Sequence, residues 1–248
     1  MSTFESRKRS RELNEKLIKL ALISAATISI LTTFGILFSI LFEAIEFFKL
    51  RSFWYFITGA TWSPGVIGSQ FGALPIFAGT FVITIIALGV AIPVGLGSAI
   101  YMSEYASANI RDYLKPLLEI LAGIPTVVYG FFAAITVAPL VVQIAEFFGL
   151  EATFNSALAS GVVMGIMIIP VISSLSDDVI KAVPDSQRKA AFALGMTHGE
   201  TIKNIVLPSA MPGIISASLL GLSKALGETM IVVMAAGLRP NLSWNPLE

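Results

Sequence analysis

Long apolar runs separated by short charged connections dominate the chain. Three runs contain no Asp, Glu, Lys or Arg: residues 20–42, 120–145 and 152–176. Each is long enough for a helix that crosses ~30 Å of hydrocarbon. A fourth uncharged run, 52–103, is too long for one helix, and its aromatic, proline and glycine residues indicate an interfacial loop before a span. A fifth apolar segment is interrupted only by Lys224 and Glu228. The pattern predicts five membrane spans.

These runs divide the chain into four parts: a basic arm at 1–19, a first transmembrane helix at 20–48, a loop at 49–72 and a membrane core at 73–248. Within the core, spans are expected at about 73–102, 117–145, 153–176 and 210–237, with a structured loop at 177–208. Four prolines, Pro93, Pro125, Pro139 and Pro170, fall inside these spans, where proline removes a backbone hydrogen bond and kinks a helix. The predicted fold class is an all-α integral membrane protein with a kinked helix bundle.

Composition supports this class and excludes others. The 248 residues are 55% hydrophobic and 13% charged, against about 45–50% and ~25% in soluble domains. A net charge of zero gives no reason to expect a nucleic acid partner. The absence of cysteine and the single histidine, His198, exclude disulfides, thiolate metal sites and zinc sites that need two imidazoles.

The distribution of Lys and Arg predicts the orientation of the spans. Twelve basic residues lie in the amino-terminal arm and in the connections at 103–115 and 177–208, and three lie on the opposite side: Lys49, Arg51 and Arg239. Since the excess marks the cytoplasmic side, the amino terminus and both of these connections are expected in the cytoplasm, and the loop at 49–72 outside it. The polar segment 238–248 is then extracytoplasmic and ends where another helix would begin, which suggests that a sixth span is missing.

Small residues recur every four positions in two of the spans. One stripe contains Ala157, Gly161 and Gly165, and the other contains Gly213, Ala217, Gly221 and Ala225. Such stripes let helix backbones approach closely in lipid. Packing within the chain is the favoured interpretation for both; the alternative is that the stripe at 213–225 faces a partner subunit or a transport path.

The connection 177–208 carries its own folding signals. Pro184 suits a first helical turn, and Gly195 suits a helix end that needs a positive φ. Thr197 and Glu200 have the spacing of a capping box, which starts a second short helix. Two short helices around a glycine turn are therefore predicted before Pro208 leads into the last span. So structured a loop, on a protein with little else outside the membrane, indicates a docking element for a soluble partner.

A second pattern in this loop is a fixed spacing of six residues: Ala190, Ala191, Gly195, Ile205, Leu207 and Pro208. It resembles the EAA loop of the permease subunits of ABC importers, with Lys189 at the usually acidic first position. The resemblance implies a MetI-like helix bundle in which the helix before Gly195 is a coupling helix that inserts into a groove of a cytoplasmic ATPase. The departure at Lys189 concerns one salt bridge with that ATPase and leaves the helix-turn-helix intact.

Several further stretches resemble the C-type permease of the phosphate importers. They are residues 58–64, 71–76, 79–80, 124–130 and 224–230, which together cover most of 55–248. The resemblance implies a plasma membrane (bacterial inner membrane) protein that forms a translocation path with an A-type permease. It further implies a dimeric ATPase that uses ATP and Mg²⁺, an extracytoplasmic phosphate-binding protein, and no cofactor bound by this chain. Family members have a sixth span after the Asn-Pro-Leu-Glu segment.

Lys224 and Glu228 are the charged pair inside the last span. Each charge near the bilayer centre costs roughly 2.5–3.5 kcal/mol, so the pair should share one helix face at i,i+4 and meet protein or water. One interpretation is a structural ion pair that joins helices. The other, favoured by the related permeases, which place arginine at 224 and keep the glutamate, is an anion path in which Thr229 adds a hydroxyl donor. Both remain open.

Three other polar residues are expected to have structural roles. Asp177 and Asp178 are interpreted as interfacial or loop-capping groups, and His198 as a surface or partner-contact residue.

Three functional classes follow from these observations. The leading hypothesis is a permease subunit of a phosphate importer, or of a sulfate or molybdate importer, since all are tetrahedral oxyanions. No glycine-rich phosphate loop occurs in the chain, so ATP hydrolysis would need another polypeptide. A secondary carrier is less consistent with the structured loop, and an intramembrane enzyme would have only isolated carboxylates and hydroxyls available.

Overall fold

A computed structural model of the protein describes residues 2–65, 68–238 and 240–247, with side chains from Asn14 onward. The chain separates into two compact units, Met1–Thr58 and Gly59–Glu248. Helices make up most of the described residues. Among the basic residues that predict the orientation, Arg239 and the side chains of Arg7, Lys8, Arg9 and Arg11 lie outside the described part.

The first unit contains one long helix and one short helix. α1 runs over Ser2–Leu50 and α2 over Phe53–Thr58. The most apolar stretch of α1 has no residue buried within the protein, and a helix that is apolar all round is suited to lipid. The predicted basic arm at 1–19 and transmembrane helix at 20–48 are therefore one continuous helix, in which charge marks the boundary.

The second unit opens with a small hairpin. β1 (Trp62–Ser63) pairs antiparallel with β2 (Gln70–Phe71). Directly after β2, the Gly72 N–H donates to the Thr61 carbonyl oxygen at 2.9 Å, and a Cβ at Gly72 would lie 2.3 Å from the Gly59 carbonyl. The backbones approach so closely that only glycine fits at residue 72.

The remaining helices of this unit follow in chain order. They are α3 (Leu74–Ile100) with a π-helical end at Tyr101–Tyr105, α4 (Ala108–Gly123), α5 (Thr126–Phe132), a π-helical turn at Ala133–Val137, α6 (Ala138–Phe147), α7 (Ala157–Lys181), α8 (Asp185–Ala193), α9 (His198–Thr201), a π-helical turn at Ile202–Val206, α10 (Leu207–Gly227) and α11 (Met230–Ala235). Five helical segments of the described residues are long and apolar enough to cross a membrane: Asn14–Leu50, Leu74–Tyr105, Thr126–Phe147, Ala157–Ala182 and His198–Gly227. The predicted number of spans is confirmed.

α3 and α7 form the centre of the second unit. A Cβ at Gly161 would lie 2.7 Å from Ile86 Cβ, and one at Gly165 would lie 2.8 Å from the Ala87 carbonyl oxygen. Nearer the other end of the pair, Gly95 packs against Ile172. Residues with higher numbers in α3 contact residues with higher numbers in α7, so the two helices run parallel. The stripe of small residues in α7 packs within the chain, as favoured from the sequence.

The stripe in α10 also packs within the chain. A Cβ at Gly213 would lie 2.3 Å from Val179 Cγ1, and one at Gly221 would lie 2.9 Å from Ile172 Cδ1. Ala217 and Ala225 on the same face are buried. The stripe therefore joins α10 to α7 and does not face a partner subunit or a transport path at Gly213 and Gly221.

The third predicted span, 117–145, is wrong as a single helix. α4 ends at Gly123 and α5 begins at Thr126, because Ile124 takes an extended ψ of 129° and Pro125 a ψ of 138°. A residue before proline is biased towards this extended conformation. Pro125 thus separates two helices, whereas Pro93 and Pro170 lie inside helices and Pro139 lies in the first turn of α6.

The last predicted span, 210–237, is also interrupted. α10 ends at Gly227, Glu228 has an extended ψ of 121°, and α11 begins at Met230. At its other end, α10 continues back through the π-helical turn to His198 without a break. The prediction of a second short helix separate from the span is therefore wrong, since α9 and α10 belong to one continuous helical segment. Pro208 has no N–H to donate, and the wider π-helical turn just before it accommodates the missing bond.

Candidate functional site

The loop between α7 and α10 is built by local signals. α8 begins directly after Pro184 and is followed by Gly195, whose φ is 81°. The Thr197 side chain accepts from the Glu200 N–H, and the Glu200 carboxylate accepts from the Thr197 N–H at 2.8 Å. The capping box predicted from the sequence is thus present, and it fixes the start of α9 immediately after the glycine turn.

The residues that match the EAA-loop spacing differ in their exposure to solvent. Lys189, Ala190, Gly195 and Pro208 are exposed, Ile205 and Leu207 are half-buried, and Ala191 is buried. Beside them, Phe192 is 45% exposed and Leu194 is 84% exposed. α8 is therefore buried at Ala191, while Lys189, Phe192 and, directly after the helix, Leu194 are exposed.

His198 connects this loop to the end of α3. Its Nε2 lies 3.1 Å from the carbonyl oxygen of Glu104, and its ring contacts Tyr105 edge-on and stacks on Phe192. Although exposed, His198 contacts its own chain, so a partner contact is not needed to explain its position.

The predicted pairing of Lys224 with Glu228 is wrong. Because the helix ends at Gly227, residues 224 and 228 do not share a helix face, and no ion pair joins them among the described residues. The Glu228 carboxylate accepts instead from the Met230 N–H at 3.1 Å. Lys224 is half-buried, and Thr229 is exposed at the start of α11.

The two interrupted spans meet close to their breaks. A Cβ at Gly130 in α5 would lie 2.9 Å from Met234 Sδ and 3.2 Å from the Met230 carbonyl oxygen. Gly130 is four residues beyond the first residue of α5, a rise of about 6 Å, and Met230 is the first residue of α11. The buried Tyr129 in α5 bridges the break between α4 and α5, since its hydroxyl donates to the Leu121 carbonyl of α4 at 2.8 Å.

Two cavities lie at opposite ends of the α3–α7 pair. One, of about 290 Å³, is lined by Lys115, Glu119 and Asp177 among other residues. The other, of about 370 Å³, is lined by neutral polar groups such as Thr80 and Asn155 and by apolar side chains. Neither lining includes Lys224, Glu228 or Thr229, so the structure does not bring the predicted path residues into these cavities.

Residues 91–241, more than half of the chain, match the family of binding-protein-dependent transport system inner membrane components. The chain belongs to this family. It is therefore a multi-pass membrane component of an ABC importer, a permease that has no ATPase site of its own.

Curated relatives extend the similarity beyond the matched domain. The permease is 32% identical over 245 residues to the Probable ABC transporter permease protein YqgH of Bacillus subtilis, covering 98% of this chain and 78% of that protein. It is 33% identical over 224 residues to the Phosphate transport system permease protein PstC 1 of Mycobacterium bovis, covering 79% of this chain and 66% of that protein. The chain spans only part of the length of each relative.

A solved structure of the MetNI methionine ABC transporter in inward facing conformations also aligns with the permease. The alignment covers 63% of this chain and 68% of that chain, at 20% identity and a TM-score of 0.44.

Sequence reasoning missed the charged residues that tie the loops of the permease together. Arg111 Nη2 lies 3.3 Å from Asp177 Oδ1, and Asp177 is also paired with Lys181. Asp177 is only 2% exposed, so the interpretation as an interfacial group understated its burial. Lys115 pairs with Asp178 at 3.9 Å. The sequence signal for this cluster is weak: two basic residues in one connection and two acidic residues in another.

Proposed function

We propose that the chain is the C-type permease subunit of an ATP-driven importer of inorganic phosphate. In this proposal it forms the translocation path with an A-type permease, receives phosphate from an extracytoplasmic binding protein and is driven by a cytoplasmic ATPase dimer that uses ATP and Mg²⁺. Its amino terminus lies in the cytoplasm. The observation that carries the substrate is the 33% identity over 224 residues to a permease named for phosphate transport.

The geometry of α8 supports the coupling to an ATPase. Phe192 in α8 and Leu194 directly after it are large, exposed apolar side chains on the same segment as the exposed Lys189. Burial of apolar side chains in a groove drives most protein associations. The positions Lys189, Ala190, Ala191, Gly195, Ile205, Leu207 and Pro208 form the ATPase-coupling loop in this proposal, and the departure from an acidic residue at 189 changes one polar contact of that interface.

Lys224 supports the passage of an anion. It is the only charged residue of α10, it is half-buried, and it forms no ion pair among the described residues. A cation in an apolar span is costly unless it meets water or an anion. Its separation from Glu228 removes the reason to treat it as one half of a structural pair. Glu228 and Thr229 lie at the break that follows, where Glu228 is half-buried and Thr229 is exposed.

Uptake of radiolabelled phosphate by the complete transporter tests this proposal. We expect Lys224→Gln to reduce uptake about tenfold or more, the effect of roughly 1.4 kcal/mol, at unchanged membrane abundance. Lys19→Gln, a matched change of an exposed lysine in α1, should leave uptake unchanged.

Two further arms settle the substrate and the role of Glu228. Excess unlabelled phosphate should abolish uptake, whereas excess sulfate or molybdate should not; the reverse result would assign another oxyanion. Because Glu228 is not paired with Lys224, the double variant Lys224→Gln/Glu228→Gln should stay as impaired as Lys224→Gln. Recovery of uptake in the double variant would contradict a role for Lys224 in the anion path.

A further inference from the structure

The guanidinium group of Arg188 joins three elements of the permease. Its Nη2 lies 2.8 Å from Glu104 Oε1, in the π-helical end of α3, and donates to the Ile180 carbonyl oxygen of α7 at 2.9 Å. Its Nη1 donates to the Val183 carbonyl oxygen, just beyond α7. Arg188 itself belongs to α8. One side chain thus connects α8 to the ends of α3 and α7.

Burial distinguishes this connection from the other ion pair of Arg188. The side chain of Glu104 is 6% exposed and that of Arg188 is 15% exposed. Asp185, the second carboxylate near Arg188 at 3.6 Å, is 82% exposed. Exposed pairs are screened by water and contribute little, whereas removing one partner of a buried pair leaves an uncompensated charge. Of the two ion pairs of Arg188, the one with Glu104 is therefore the one expected to restrain α8.

The bonds to two backbone carbonyls, Ile180 in α7 and Val183 just beyond it, strengthen the same connection. The last carbonyl groups of a helix lack intrahelical partners and carry the negative end of the helix dipole. Arg188 donates to one such group, the Ile180 carbonyl, which also accepts from the Val183 N–H at 3.3 Å, and it does so with the nitrogen that binds Glu104. A displacement of α8 therefore acts on α3 and α7 through a single rigid, planar group.

We propose that Arg188 is a positioning residue that transmits displacement of α8 to the π-helical end of α3, Tyr101–Tyr105, through its buried pair with Glu104. The inference rests on the proposed function, in which an ATPase moves α8. A π-helical turn at this point suits such a role, since these turns are frequent at functional sites and relax the regular hydrogen-bond ladder. α3 packs along α7, so the motion reaches the centre of the second unit.

Hydrogen–deuterium exchange on the purified complex with its ATPase and second permease tests this transmission. Exchange is compared between the nucleotide-free state and the state trapped with ATP and vanadate, in peptides that cover 185–194 and 99–106. In the unchanged protein we expect both peptides to respond to nucleotide. In Glu104→Gln, the peptide at 185–194 should still respond and the response at 99–106 should be lost.

Asp185→Asn is the matched control, because it removes a carboxylate from the same guanidinium at an exposed position. It should keep the response of both peptides. If Glu104→Gln does not yield folded complex, the double variant Glu104→Gln/Arg188→Gln, which leaves no unpaired buried charge, should show the same selective loss at 99–106. A retained response at 99–106 in either variant would overturn the inference.

Failure of the proposed function gives different results. If the transported anion is not phosphate, phosphate uptake fails in every variant, including the unchanged protein, while the exchange pattern stays as described. If the peptide at 185–194 does not respond in the unchanged protein, α8 is not a coupling helix, and Arg188 has no displacement to transmit.

Discussion

Gly195 is the residue on which the geometry of the loop depends most directly. Its φ of 81° lies in the left-handed region, and a Cβ there would meet no atom within 4 Å. The constraint is thus on the backbone and not on space. For other residues this conformation costs roughly 1–2 kcal/mol, and more for a β-branched side chain.

We therefore expect Gly195→Val to change the angle between α8 and α9 without affecting insertion. Phosphate uptake and co-purification of the ATPase should fall, by about tenfold for a displacement that costs roughly 1.4 kcal/mol, at normal membrane abundance. Gly199→Val is the control, because Gly199 lies in α9 with open space around it and no positive φ. Equal uptake in the two variants would remove the coupling assignment.

Tyr129 joins α5 to α4 across the break at Pro125 by one hydrogen bond. Tyr129→Phe removes its bond to the Leu121 carbonyl, and we expect a loss of about 1 kcal/mol of stability, visible as a lower Tm of the purified protein in detergent. Tyr113→Phe, at a position 81% exposed in α4, should leave the Tm unchanged. If both variants have the same Tm as the unchanged protein, the Tyr129 hydroxyl does not contribute to stability.

The distance along the chain explains which of these residues the sequence predicts. The capping box joins residues three positions apart, and the glycine turn is a property of one residue, so both follow from local rules. Arg188 and Glu104 are 84 positions apart, and Arg111 and Asp177 are 66 apart. Nothing in the spacing of a single sequence selects these partners from the other charged residues.

At the scale of elements, hydrophobic runs predict that spans exist but not where their helices break. Apolar residues on both sides of Pro125 and of Glu228 form continuous hydropathy signals, and the interruption depends on backbone angles at Ile124 and Glu228. The sequence predicts that Pro125 kinks its helix, whereas the structure has a complete break at Ile124 and Pro125. At 224 and 228 the assumption of a continuous helix produced an ion pair that the chain does not form.

Glycine contacts between α3 and α7 give the sharpest test of packing. A Cβ at Gly165 would lie 2.8 Å from the Ala87 carbonyl oxygen, a backbone atom that no rotamer change can move. We expect Gly165→Ala to destabilise the protein by about 1–3 kcal/mol, measured as a lower Tm in detergent. Gly89→Ala, also in this helix pair but with nothing within 4 Å, should leave the Tm unchanged or raise it. A Tm for Gly165→Ala equal to that of the control would mean that the two helices are not in contact there.

At the scale of the whole molecule, the connections between helices of the second unit form two groups, one at each end of the α3–α7 pair. The pairs Arg111–Asp177 and Arg188–Glu104 bring the connections at 103–115 and 177–208 together. Around the start of α7, the tail lies against the preceding connection, since the Thr153 N–H donates to the Leu247 carbonyl at 2.9 Å and the Leu158 N–H to the Pro246 carbonyl at 2.8 Å. The distribution of Lys and Arg in the sequence predicts the same grouping, with 103–115 and 177–208 on one side of the membrane and 238–248 on the other. Which end faces the cytoplasm depends on the asymmetry of Lys and Arg.

Reporter fusions test this orientation. A reporter fused after Glu248 should be extracytoplasmic, because the tail belongs with the connection before α7, on the side poor in Lys and Arg. A reporter fused after Ser186, within the basic loop, should be cytoplasmic, and this pair of fusions serves as its own control. Opposite locations of both reporters would reverse the orientation and expose α8 to the side without ATP, which would contradict the coupling proposal. Two reporters on one side would instead contradict the fifth span, since His198–Gly227 is the one described helical segment between the two fusion points that is long and apolar enough to cross a membrane.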